Sequence, residues 1–128
     1  MNSAAIKTFM FAGNATFTLE SVKTGTHFTF KVKASNDGRV HFAQVLTGPD
    51  TYSYAGLLSD RGLTETKGSK VHSSAPSFQA LNWFMRNLDS QQVIFRHVGC
   101  CGKCGRQLTT PESIDRGIGP DCAERMGL

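Results

Sequence analysis

The sequence predicts an α+β fold: an antiparallel β-meander with a packed helix, followed by a small treble-clef-like zinc-binding tail. Three observations carry this. Between Ala15 and Leu58 apolar and polar residues alternate with period two, interrupted by turn-forming clusters. Between Phe78 and Leu88 apolar residues recur at helical spacing. All four cysteines fall within the last 29 of 128 residues. A chain of this length forms one compact unit and needs neither disulfides nor a metal merely to fold. The pattern divides it into an N-terminal segment, 1–14, a sheet domain, 15–96, and a zinc-binding tail, 97–128, packed on that domain.

In chain order, Ser3 to Phe11 forms a short helix with Ile6, Phe9 and Met10 on one side, ended by Gly13 or Asn14. Thr16 to Ser21 is a strand with Phe17 and Leu19 on one face. His27 to Lys33 alternates better: Phe28, Phe30 and Val32 point one way, and His27, Thr29, Lys31 and Lys33 the other. Ser35-Asn36-Asp37-Gly38 is a hairpin signal, because Asn, Asp and Gly tolerate positive φ. Arg39 to Leu46 is then the return strand, expected to turn Val40, Phe42 and Leu46 to the core. Thr47 to Asp50 turns again, and Tyr52 to Leu58 is a third strand of the meander. Asp60 to Gly62 is another turn, and Thr64 to His72 is an edge strand or a loop. Ser74 to Ser77 opens a helix, with Pro76 in its first turn and Ser as a good cap. Phe78, Leu81, Met85 and Leu88 form its apolar stripe. Gln91 to Val98 is a final strand that runs into the cysteines.

Cys101-Gly-Lys-Cys104-Gly is the local form of a zinc knuckle: two thiolates at this spacing can reach one ion, and Gly102 and Gly105 permit the tight turn. Pro120 places Cys122 in the first turn of a final helix, Pro120 to Met126, where exposed N–H groups favour a thiolate. A structural Zn2+ needs a fourth ligand. Arg125, three residues after Cys122, cannot ligate. His97, at the end of the strand feeding the knuckle, is the first candidate; Cys100 and water are the alternatives. A dithiol redox motif would be followed by a helix, which Gly105 to Thr110 does not resemble. A nucleobase-deaminase zinc site would need H-x-E and P-C-x-x-C, and neither is present.

The stretch Cys101-Gly-Lys-Cys104-Gly-Arg-Gln-Leu-Thr-Thr-Pro-Glu-Ser-Ile-Asp-Arg-Gly-Ile-Gly-Pro-Asp-Cys122 resembles a domain-of-unknown-function family of bacteria and their phages, which carries a CxxCGRxLTxPxSIxxGxGPxC tail. Leu46 to Asp50 and Tyr52 to Gly56 look like the same group, so the resemblance runs from about Thr16 to Cys122. It implies His97, Cys101, Cys104 and Cys122 as the metal ligands, with Cys100 a bystander. It implies a prokaryotic or phage setting and no particular activity.

Charge locates a second feature. Lys plus Arg is 14 and Asp plus Glu is 10, a net +4. The last 29 residues hold four of each, so the excess lies in residues 1–99. Lys31, Lys33 and Arg39 fall on the polar side of the predicted hairpin, and Arg106 lies in the knuckle. A basic sheet face can track a phosphate backbone, although an ordinary solvated face reads the same way. Tyr52 and Tyr54 are either stacking platforms or half-buried packing. There is no G-x-S-x-G elbow, no H-E-x-x-H and no paired carboxylates, so the reading is a non-enzyme with no evident small-molecule substrate. Its expected partner is nucleic acid, or else a host or phage protein complex that it would inhibit as an anti-defence module. No apolar run is long enough to span a bilayer and no secretory signal is evident, which with free cysteines points to the cytoplasm, that of the host if phage-encoded.

Overall fold

A computed structural model describes all residues from Met1 to Leu128. Six strands form one antiparallel sheet: β1 (Asn14–Ser21), β2 (His27–Ala34), β3 (His41–Leu46), β4 (Tyr52–Ser59), β5 (Gly62–Thr64) and β6 (Val93–His97). Their order is β5-β4-β3-β2-β1-β6. The first five are joined as a meander, and β6 returns to pair with β1 at the opposite edge. Two helices, α1 (Ser3–Met10) and α2 (Pro76–Met85), lie on one face of the sheet. Two short ones, α3 (Pro111–Arg116) and α4 (Pro120–Arg125), belong to the tail. No helix is long and apolar enough to cross a membrane.

α1 begins where Asn2 Oδ1 accepts from the Ala5 N–H at 2.8 Å, a local N-cap. Its stripe of Ile6, Phe9 and Met10 is buried, as the spacing predicts. α2 carries Phe78, Leu81, Phe84 and Met85 into the core. It stops at Met85, so Leu88 packs from the turn beyond, and its N-cap is Ala75 with no side-chain cap. The last turn of α2 touches both edge strands: Asn82 Oδ1 accepts from the Leu63 N–H of β5 at 3.0 Å, and Phe84 stacks on Phe95 of β6 at 6.0 Å.

Register decides which residues face those helices. Phe17 lies opposite Phe30, and Ala15 opposite Val32. Phe30 in turn lies opposite Val45, and Val32 opposite Ala43. Directly opposed residues share a face, so β3 presents Ala43 and Val45 to the core. Val40, Phe42 and Leu46, expected inside, are turned out: Val40 is 39% and Phe42 36% exposed. A register one residue different would have buried them, but the hairpin turn closes with the Ser35 N–H on the Val40 carbonyl and fixes the parity. β4 carries an irregularity: Ala43 pairs with Gly56 and Gln44 with Tyr54, which leaves Ala55 as a bulge. The loop after β5 satisfies the carbonyls there. Lys70 N–H donates to Tyr54 O at 2.7 Å and Ser69 Oγ to Ala55 O at 2.7 Å. Gly56 admits β5, because a Cβ there would lie 2.1 Å from the Thr64 carbonyl oxygen.

The core is a single cluster. Ala15, Phe17, Phe30, Val32 and Leu81 of the sheet and α2 are fully buried, and Phe9, Cys101 and Ile118 join them in the same group. The tail is therefore docked on the sheet rather than tethered to it. Gly102 O accepts from the Asn14 N–H at 2.6 Å, and the Val98 N–H donates to Thr16 O at 3.3 Å. The opposite face of the sheet has no helix on it.

Candidate metal centre

The knuckle forms where β6 ends. Cys100 and Gln107 make an isolated antiparallel bridge, and Cys101 sits just inside it. The Cys101 N–H donates to Arg106 O and the Gly105 N–H to Cys101 O, both at 2.8 Å, which closes the tight turn that brings Cys104 back. Gly102 is required by packing, since a Cβ would lie 2.8 Å from Phe9 Cδ1 and 2.9 Å from Phe9 O. α3 starts at Thr110, whose hydroxyl accepts from the Ser113 N–H at 3.3 Å and also contacts Ser113 Oγ. It ends at Gly117, with φ +75°. Pro120 then opens α4, as its position predicts, and α4 presents Cys122.

The Sγ atoms of Cys101, Cys104 and Cys122 lie within 4.8 Å of one another, close enough to hold one metal ion. Cys101 and Cys122 are buried and Cys104 is exposed. Their electrostatics differ. Burial pushes the Cys101 thiol up, but backbone N–H groups of Gly119, Cys104 and Lys103 outweigh it and bring it down to about 7. Lys103 N–H stands 3.3 Å and Cys104 N–H 3.5 Å from this sulfur. Burial pushes the Cys122 thiol up to about 11, with the Cys104 and Cys101 thiols adding to the rise. Despite the place of Cys122 in the first turn of α4, burial and the neighbouring thiols dominate there. The sulfur that receives the backbone donors is Cys101.

His97 stands apart from this cluster. Its Nδ1 accepts from the Gly99 N–H at 2.9 Å, and its Nε2 faces the Ile114 carbonyl at 2.5 Å. Both ring nitrogens thus have hydrogen-bond partners within the protein, and His97 is not among the residues whose ligand atoms cluster. The ring packs on Phe9 at 5.5 Å. In this arrangement His97 ties β6 to α3 and positions the knuckle from behind. Cys100 is also outside the group of three, since an extended strand turns adjacent side chains to opposite sides.

A cavity of about 200 Å³ opens beside Cys104 and Cys122, and Arg106, Thr109, Ser113 and Asp121 are among the residues lining it. Nothing in the spacing of the cysteines announces it, because it arises from how α3 and α4 pack around the knuckle.

The four basic residues singled out in the sequence are not gathered into one patch. Lys31 and Lys33 share the uncovered face of β2. Arg39 lies at the tip of the hairpin and pairs with Asp37 at 3.7 Å. Arg106 belongs to the cavity beside the cysteines. Arg96, which the sequence reading passed over, does lie on the uncovered face, opposite Thr18. The alternation Val93, Phe95, His97 inward and Ile94, Arg96 outward would have found it. Tyr52 and Tyr54 are both half-buried on the same face. Lys31 Nζ sits 4.3 Å from the centre of the Tyr52 ring, and Phe42 meets Tyr54 at 6.2 Å.

Residues 95–127 match the model of a family of unknown function, DUF6011. The matched stretch holds His97, the three clustered cysteines and the cavity, so this chain is similar to that family in its tail. No curated protein and no solved structure matches the chain.

Proposed function

We propose that the chain is a non-enzymatic, zinc-stapled α+β module that binds single-stranded nucleic acid through the uncovered face of its sheet. One observation carries the nucleic-acid reading: a face with no helix on it places Lys31 and Lys33 beside Tyr52, Tyr54 and Phe42, with Arg96 on the same face at the far edge strand. The single ion pair of the chain is Arg39–Asp37, so no carboxylate lies within ion-pairing distance of these three cations, although Glu20 of β1 shares their face. Unpaired cations beside aromatic rings suit a phosphate backbone whose bases can stack. Three sulfurs within one coordination radius support the metal, and zinc is the ion that a cysteine knuckle most suits. The knuckle is read as treble-clef-like because a ligand pair in a tight turn is completed by a ligand on a following helix.

A mobility shift with single-stranded DNA and RNA at two salt concentrations tests the binding. Affinity is expected to fall steeply with salt, and Lys31→Glu with Lys33→Glu to abolish it. No shift at micromolar protein and low salt refutes the reading. Metal analysis of purified chain is expected to give about one zinc per molecule, lost in Cys104→Ser and kept in Cys100→Ser. Full metal content in Cys104→Ser refutes the site. A protein partner is the second reading, favoured by Trp83, which is 38% exposed on α2. A nuclease-resistant complex that Trp83→Ala disrupts would support it over nucleic acid.

A further inference from the structure

We infer that the ion held by Cys101, Cys104 and Cys122 takes its fourth ligand from the adjoining cavity, and that this ligand is a small thiolate. The inference rests on the metal reading above and deepens it. The chain's own candidates are engaged elsewhere: both nitrogens of His97 are taken by the Gly99 N–H and the Ile114 carbonyl. Cys100 and Asp121 lie outside the cluster of three, although Asp121 lines the cavity. Cys101 is fully buried and does not line the cavity, whereas exposed Cys104 and buried Cys122 do. The open side of the three sulfurs is therefore the cavity side.

The chemistry of the cavity selects the ligand. Three thiolates make a soft, electron-rich centre, and such a centre prefers a fourth soft donor. With three thiolates and a divalent ion the centre carries a net charge of −1, so an anionic ligand needs a cation nearby. Arg106 lines the cavity and supplies one; Asp121 lines it too and disfavours ligands of higher negative charge. A volume of about 200 Å³ is several times the roughly 30 Å³ share of one water molecule. That is room for a thiol of a few heavy atoms. Binding is an exchange without change of oxidation state. The thiol gives its S–H proton to solvent, its sulfur lone pair forms the bond to the metal, and the water it displaces leaves.

The test uses the full chain, purified with a phosphine reductant, loaded with Co2+ and titrated with 2-mercaptoethanol. The thiolate-to-cobalt absorption is expected to rise by about one third as three sulfurs become four. Cys100→Ser is expected to leave the starting spectrum unchanged. Arg106→Glu should raise the thiol concentration at half-saturation by about tenfold or more, the effect of reversing one well-placed charge. A cobalt spectrum indifferent to thiol, or altered by Cys100→Ser, overturns the inference and leaves the metal site standing. An unchanged half-saturation in Arg106→Glu removes the ligand from this cavity. Failure to take up cobalt at all overturns the metal reading and the inference together.

Discussion

Phe9 is the side chain on which sheet, helix and tail converge, and truncating it to alanine is the most informative single perturbation. The ring is fully buried. It meets Phe95 edge-on at 5.8 Å and His97 at 5.5 Å. On its other side it backs onto Gly102 and Gly117, where added Cβ atoms would lie 2.8 Å and 2.5 Å from its Cδ1. Removing a buried phenyl costs about 3–5 kcal/mol when the surroundings cannot collapse, and here two rigid glycine turns and a strand surround it. The edge-on aromatic pair places the expected value near 4 kcal/mol rather than at the low end. Against a total stability of roughly 5–15 kcal/mol, that is about a quarter or more of the whole. For a chain of this length it lowers Tm by about 15 °C. Urea denaturation of the metal-loaded wild-type and Phe9→Ala chains measures it directly, as a shift in midpoint at constant slope. Phe9→Leu, which keeps most of the volume, should lose only about 1–2 kcal/mol. A loss below about 1 kcal/mol for Phe9→Ala would refute the reasoning. It would mean that α1 frays from the sheet and that the tail does not depend on it.

The face assignment of β3 gives a paired prediction. Val45→Ala should cost about 1–3 kcal/mol, whereas Phe42→Ala, on the uncovered side, should cost under about 1 kcal/mol; equal losses would restore the opposite register. In the metal-free chain the two perturbed thiols set opposite pH slopes. Cys101, lowered to about 7 from its ordinary 9.0, contributes stability that is complete above pH 9 and is lost as pH falls through 7. Cys122, raised to about 11, contributes stability that is present below pH 9 and is lost as pH rises through 11. Stability of the metal-free chain should therefore peak near pH 9 in denaturation at a series of pH values, and a monotonic profile from pH 6 to 11 would contradict this.

Local patterns in the sequence were enough for most elements. The i, i+3, i+4 stripe of Ile6, Phe9 and Met10 and the Ser35–Gly38 turn each depend on neighbours in the chain, and each forms as read. The cysteine knuckle is equally local, and Pro120 correctly starts the helix that brings Cys122 to it. What the sequence does not contain is pairing at a distance. Whether Val40 or His41 begins the inward series of β3 depends on one hydrogen bond across the hairpin, so alternation alone gave the wrong face. That β6 pairs with β1 rather than β5 is a matter of long-range packing, in which the C-terminal turn of α2 touches both edge strands, β5 through Asn82 and β6 through Phe84. The role of His97 is a question of the same kind. Four residues before Cys101 it is within reach of a metal, but the carbonyl of Ile114, seventeen residues on, competes for its proton.

Metal removal should separate the tail from the sheet in stability though not in fold. Residues Phe17, Phe30, Val32, Leu81 and Phe84 are buried against one another by strand pairing and by α2, and none of them touches the cysteine cluster through a backbone hydrogen bond. The tail is held differently. Its short α3 and α4 are too small to be stable alone, and its turn bonds, such as Gly105 N–H to Cys101 O and Leu108 N–H to Gly99 O, close a loop that three sulfurs would otherwise pin through the ion. Without the ion that loop regains much of its closure entropy, and the amides of Gly105, Leu108 and Ala123 should open at a free energy well below global unfolding. Hydrogen exchange of the chelated full-length chain is expected to show faster exchange at these positions and little change at Val32 or Phe30. If the sheet amides lost protection in step with the tail, the ion would be stapling the whole core, and Phe9 would transmit its loss to every strand.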